Sequence, residues 1–125
     1  MSKTAISSPE LPAVIGPYSP AVLQGNTLYV SGQLPADPKT GAYPEGVAAQ
    51  TEQCLRNLQK ILETAGFSMR DVVKATVYLA DMRDFGAMNE VYARFFEAPY
   101  PARAALQVVA MARGALVEID AVAAR

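Results

Sequence analysis

The sequence contains no histidine and a single cysteine, Cys54. These two scarcities exclude several kinds of chemistry. The usual zinc sites need several His or Cys ligands, and nucleophilic triads need an imidazole beside the Ser or Cys. A disulfide within one chain is impossible, and a lone cysteine suits a reducing compartment. An excess of either charge is also missing. Eleven basic residues stand against twelve acidic ones for a net charge of −1, and the basic ones are scattered. No basic stripe is available to neutralise phosphates, so nucleic acid is not an expected partner. No apolar run reaches membrane-spanning length, and the N-terminus lacks a basic-then-apolar leader pattern. The expectation is a soluble, cytoplasmic protein with no membrane contact. Without internal repeats, low-complexity tracts or a linker, residues 1–125 read as one domain.

What is present is globular: 51% hydrophobic and 18% charged residues over 125 positions. Residues 1–12 are polar with two prolines, and residues 4–6 offer at most a short edge strand. Gly16-Pro17-Tyr18-Ser19-Pro20 is stiff and non-helical, because proline fixes its own φ and restricts the residue before it. Tyr18 is either a loop aromatic packed on the core or a hydroxyl held in one direction. Residues 21–24 and 27–32 flank Gly25-Asn26 and predict a β-hairpin. Ser31-Gly32-Gln33 ends the second strand, with Gly32 marking a simple strand end, a bulge or a close approach of another backbone or a ligand.

Residues 35–46 form a loop rich in Pro and Gly. Val47, Thr51, Cys54, Leu55, Leu58, Ile61, Leu62 and Ala65 recur at helical spacing and predict a helix over 47–65, stopped by Gly66. Cys54 on that stripe reads as packing rather than as a nucleophile. Residues 68–71 suggest a capped turn, and residues 72–80 a strand with Val73, Ala75, Val77 and Leu79 on one face. A second helix starts near an Asp84 cap, shows Phe85, Met88, Val91, Tyr92, Phe95 and Phe96 as its apolar face, and ends before Pro99. Asn89 beside that face is either solvated or a buried hydrogen-bonding group. Two strands close the chain, at about residues 101–109 and 116–122.

The order of elements predicts an α+β domain of two layers, a mixed β-sheet with two helices packed on one face. The apolar sets of the last two strands should face the helices, leaving Arg103, Gln107, Glu118 and Asp120 on the opposite face. A half-polar sheet face of this kind suits an oligomer contact with a cleft at its rim.

Arg103 follows Pro101-Ala102, on backbone that should be extended and fixed. Its planar fork can clamp a carboxylate, or it can pair with Glu118 or Asp120 across strands; pattern alone leaves both open. Glu118 lies between Val117 and Ile119, where desolvation would raise its pKa and a nearby arginine would lower it. A carboxylate so placed can orient a water or take its proton, and Tyr18 can add a hydroxyl. One guanidinium, one carboxylate and one phenol suit a small anion that is already reactive, such as a carboxylate-bearing imine or enamine.

These residues sit in blocks that resemble the reactive intermediate deaminase family, of RidA or YjgF type. The blocks are Ile15-Gly16-Pro17-Tyr18, Ser31-Gly32-Gln33, Ala49-Gln50 with Asn57-Leu58, Val73-Lys74-Ala75-Thr76-Val77-Tyr78-Leu79 with Asp81, Phe85-Gly86-Ala87-Met88-Asn89, Phe95-Phe96, Pro101-Ala102-Arg103 and Val117-Glu118-Ile119. The resemblance implies a chorismate-mutase-like fold, a homotrimer with sites between subunits, and cofactor-free hydrolysis without a metal. The implied substrates are 2-imino acids or their enamines (2-aminoacrylate, 2-iminobutanoate, 2-iminopropanoate), and the products are 2-oxo acids and ammonia. It implies that Arg103 clamps the substrate carboxylate, that Glu118 positions water, and that Tyr18, Ser31, Gly32 and Asn89 line the pocket. Ala105 stands in the substrate site where many members carry cysteine, so thiol chemistry is excluded there. Two other readings compete: a non-catalytic trimer that binds small carboxylates as a sensor or chaperone-like module, and a ribonuclease or translation inhibitor, against which the charge balance and missing histidine argue.

Overall fold

Leu55, Leu58, Ile61 and Leu62 have no solvent exposure, and they fix the long helix α1, Val47–Thr64, against a sheet. Burying each such side chain contributes about 1.5–3 kcal/mol. The helix ends where its spacing breaks. The Gly66 N–H donates to Glu63 O at 3.0 Å and the Phe67 N–H to Leu62 O at 2.8 Å, which satisfies two terminal carbonyls. The structure, a computed structural model, describes residues 2–125.

Six strands make one sheet: β1 Thr4–Ile6, β2 Ala21–Gln24, β3 Thr27–Gln33, β4 Val72–Leu79, β5 Ala102–Gln107 and β6 Val117–Ala124. Their order is β1-β2-β3-β6-β4-β5. The β4–β5 pair is parallel and the other pairs are antiparallel. The parallel pair needs a crossover, and the second helix, α2 (Phe85–Ala93), supplies it. Both helices cover one face of the sheet. The core between the layers holds Leu28, Val30, Ala75, Val77, Leu79, Met88, Val91, Val117, Ile119 and Ala121. The mixed two-layer α+β architecture is therefore as the sequence predicts, and residues 4–6, which offered at most a short edge strand, form β1.

Three local expectations need correction. On β4 the buried residue is Val72 and the exposed one is Val73, because the pairing with β6 shifts between Val72 and Lys74. A bulge inserts one residue and flips the phase of those before it. Helix α2 stops at Ala93, so Phe95 and Phe96 lie beyond its end, with Phe96 still buried. Its entry is a 3-10 turn, Met82–Asp84, capped by Asp81 accepting from the Arg83 N–H at 2.9 Å; Asp84 makes no side-chain cap.

The third correction concerns the faces of the sheet. Arg103 pairs with Ala75 and Ala105 with Val77, both helix-side positions with no exposure. Arg103, Ala105 and Gln107 therefore point toward the helix layer; the Gln107 Oε1 accepts from the Met82 N–H at 2.8 Å. Glu118 pairs with Tyr78 and Asp120 with Thr76, while Val117 and Ile119 fill the core. Glu118 and Asp120 thus lie on the uncovered face. The arginine and the carboxylates do not share a face. Apolarity cannot set the phase of β5, since Ala104 and Ala105 are alike, and Leu106 is turned outward at 41% exposure.

Candidate active site

The residues singled out from the sequence gather into two groups on the two sides of the sheet. The first surrounds Arg103. β5 is the edge strand, so Arg103 reaches past the sheet to the side of α2. Its Nη1 donates to Asn89 Oδ1 at 2.7 Å. The guanidinium carbon lies 4.7 Å from the centre of the Tyr92 ring and 5.4 Å from that of Phe85. Phe85, Asn89 and Tyr92 are spaced i, i+4 and i+7, hence on one face of α2. Among the described residues no carboxylate lies within ion-pair distance of Arg103. The inter-strand salt bridge with Glu118 or Asp120 is thereby excluded within the chain. Guanidinium has five N–H donors, and Asn89 occupies one, so a half-buried cation keeps unspent donors. Ala105, two residues on, packs partly buried against the core.

The second group surrounds Glu118 on the uncovered face. β3 and β6 lose register between Val30 and Gln33, and the bulge contains Ser31 and Gly32. A Cβ on Gly32 would stand 2.0 Å from Glu118 Oε2 and 3.0 Å from its carboxyl carbon. Glycine is needed there to let the carboxylate lie across the strand. Burial pushes the Glu118 carboxyl up from the ordinary range, and Asp120, two residues along the same face, adds to the shift. Asp120 in turn accepts from the Tyr78 hydroxyl at 2.8 Å, a bond that raises the Tyr78 phenol to about 12.

Ser31 ties this bulge to the proline-rich segment. Its hydroxyl donates to Ser19 O at 2.6 Å, and its N–H to Pro20 O at 3.0 Å. Gly16, at φ 136° in a region closed to L side chains, turns the chain so that the Tyr18 N–H reaches Gly16 O at 2.9 Å. Tyr18 is half exposed, so it is not a core aromatic. It shares with Gly32 a cleft of about 230 Å³ that runs past Ala13, Ile15 and Tyr43 to Arg113. Cys54 is fully buried, its thiol directed at Val117 O (3.6 Å), and burial pushes it well above the ordinary thiol range. It is packing, as its place on the helical stripe predicts. Among the described residues no cluster of three or more His, Cys, Asp or Glu side chains is placed to hold a metal, and no helix is long and apolar enough to cross a membrane.

A family model described as Endoribonuclease L-PSP matches residues 8–125. The chain belongs to this YjgF/RidA family. The 2-iminobutanoate/2-iminopropanoate deaminase of Mus musculus is 50% identical over 122 residues, which cover 97% of this chain and 90% of that protein. The structure of RidA from the Antarctic bacterium Psychrobacter sp. superposes with a TM-score of 0.95 at 47% identity, covering 98% of this chain and 99% of that one. That of E. coli TdcF with bound serine gives 0.94 at 38% identity, with 98% of each chain covered. The likeness spans both groups of residues, so neither belongs to an unrelated appendage.

Sequence reading placed Phe85 and Tyr92 in the apolar face of α2 and missed their contact with Arg103. The available signal was their spacing with Asn89, a polar residue inside an aromatic stripe.

Proposed function

We propose that this protein hydrolyses reactive 2-imino acids and their enamine tautomers, such as 2-aminoacrylate, 2-iminobutanoate and 2-iminopropanoate, to 2-oxo acids and ammonia. We further propose that it works as a cytoplasmic homotrimer in which Arg103 of one copy faces Glu118 of the next. The observation that carries the reading is an Arg103 guanidinium braced on α2 with no anionic partner among the described residues of its own chain. It suits the carboxylate of a small substrate, bound through two parallel charge-assisted hydrogen bonds. The half-buried Glu118 supplies the complementary group. Within one chain burial and Asp120 raise its pKa, which favours a carboxylate that both takes and returns a proton, while a neighbour's Arg103 acts in the opposite sense.

The reaction balances with these two residues and water. A protonated C=N carbon is electrophilic. Glu118 takes a proton from a water as the oxygen bonds to that carbon, giving a neutral amine and a hydroxyl on one tetrahedral centre. Glu118 returns the proton to the nitrogen, the C–N bond breaks as the oxygen lone pair forms C=O, and the hydroxyl proton passes to the Glu118 carboxylate and on to the departing ammonia or solvent, leaving the 2-oxo group. An enamine first takes a proton at carbon and enters as the same imine. Tyr18 borders the cleft beside Gly32 and can hold the water or the substrate nitrogen, and Ser31 holds the segment that carries Tyr18. Asn89 and Ala105 line the carboxylate end. No cofactor, metal or nucleic acid is needed for this chemistry.

Support for the trimer comes from the sheet. Arg103 and Glu118 point from opposite faces of strands separated by β4, so one chain does not bring them together. The uncovered face exposes Tyr29, Val73 and Leu106, an apolar surface suited to further copies. The serine held by E. coli TdcF supports a second reading, that of a carboxylate-binding module without turnover.

One assay separates them. 2-Aminoacrylate and 2-iminobutanoate are generated in situ and their decay followed with wild type, Arg103→Ala and Glu118→Gln. Faster decay with wild type and none above background with the variants is expected. Equal decay with and without wild type would refute the enzymatic reading. A 2-oxo acid bound at Arg103 despite that result would establish the binding module.

A further inference from the structure

We infer that Phe85 and Tyr92 are positioning residues: their rings and the Asn89 amide form a slot that fixes the plane of the Arg103 guanidinium and so sets affinity for the substrate carboxylate. The inference rests on the function proposed above. Three observations carry it. The guanidinium lies over both rings, at 5.4 Å from Phe85 and 4.7 Å from Tyr92. The Asn89 carbonyl holds Nη1 at 2.7 Å and so blocks rotation about the end of the side chain. Tyr92 itself is held, 6% exposed, with its ring 4.5 Å from that of Phe96.

A long arginine on an edge strand would otherwise sample many rotamers, and ordering it on binding would cost affinity. Rings stacked under the cation hold it in place before any ligand arrives. They do so without taking an N–H donor, unlike an ion pair, which would compete with the substrate for the fork. The slot therefore explains how a half-buried cation is held without a carboxylate of its own chain, among the described residues, and keeps donors for a ligand. The Tyr92 hydroxyl plays no part. It is buried and has no hydrogen-bond partner among the described residues, and it is the ring that meets the guanidinium.

The test compares Tyr92→Phe, Tyr92→Leu and Phe85→Leu with wild type and Arg103→Ala. Binding of a 2-oxo acid (2-oxobutanoate) is measured by calorimetry, and KM and kcat by imine hydrolysis; circular dichroism and thermal midpoints report folding. Tyr92→Phe should match wild type in both affinity and KM. Tyr92→Leu and Phe85→Leu should weaken 2-oxobutanoate binding and raise KM by about tenfold each, with kcat nearly unchanged. A folded Tyr92→Leu that keeps wild-type KM and affinity would overturn the slot and leave the proposed function standing. Loss of affinity in Tyr92→Phe equal to that in Tyr92→Leu would also overturn it, by making the hydroxyl the operative group. Should Tyr92→Leu fail to fold, Phe85→Leu decides by the same criteria, since Phe85 is only partly buried. A wild type that neither hydrolyses imine nor binds 2-oxobutanoate would remove the proposed function and the slot together.

Discussion

Glu118 is held half out of water beside Asp120, and both effects disfavour its charged form. A carboxylate whose folded pKa lies above its unfolded value binds its proton more tightly in the native state. Its effect on stability is therefore most favourable below the ordinary carboxylate range and is lost as pH rises through that range to the folded value. The lowered Asp37 and Asp81 carboxyls act in the opposite sense, so the difference between variants is the informative quantity. Unfolding free energies of wild type and Glu118→Gln, measured by denaturant between pH 4 and about 7, should diverge in favour of the variant as pH rises. Gly32→Ala makes a second demand on the same carboxylate. The new Cβ would collide with Glu118 Oε2, the far end of a flexible side chain. The side chain moves, the fold survives, and kcat falls by roughly 100-fold while the thermal midpoint changes little. At this scale the sequence singled out Arg103 and Glu118 by residue type, and left open whether they pair with each other; within the chain they do not. For Gly32 the bulge was among the readings offered, but its crowding by the Glu118 side chain was not legible, because those atoms come from a strand 86 positions away.

The helices were the most readable elements. The apolar period of α1 predicts 47–65, and the observed helix is Val47–Thr64. Its two buried amides escaped that reading, because a count of apolar positions passes over them. Gln50 Nε2 donates to Pro44 O at 3.0 Å and its Oε1 accepts from the Leu116 N–H at 2.8 Å. Asn57 Nδ2 donates to Leu34 O at 3.1 Å and Ala36 O at 2.9 Å. These amides moor the loop that leaves the Gly32 bulge and the chain entering β6. Asn57→Leu leaves two carbonyls without their donor and should cost about 2–6 kcal/mol, because each lost partner costs roughly 1–3. That corresponds to a fall of roughly 10 °C or more in thermal midpoint, read by calorimetry. Five of the six strands were legible along the chain and the first only as a possibility, but their order in the sheet and their faces were not. A bulge in β4 and an edge strand made of alanines each set the phase through tertiary contacts, which no period-2 pattern records.

Taken whole, the molecule is one sheet with helices on one side and a half-apolar surface on the other. The side-to-side separation of Arg103 and Glu118 is the feature that the sequence pattern misread. Under the proposed chemistry, which needs both groups at one substrate, it calls for more than one copy, and the homotrimer is the arrangement proposed. Heterologous contacts around a closed ring can supply it, each copy lending its Arg103 to one neighbour and its Glu118 to the other. Complementation between two inactive variants tests this most directly. Arg103→Ala and Glu118→Gln are unfolded and refolded together in equal amounts, with hybrid assemblies verified by native mass spectrometry, and imine hydrolysis is measured. Each variant alone should be inactive, and the mixture should regain about a quarter of the wild-type activity, because one interface in four then joins an intact Arg103 to an intact Glu118. Hybrid trimers as inactive as the separate variants would contradict the account.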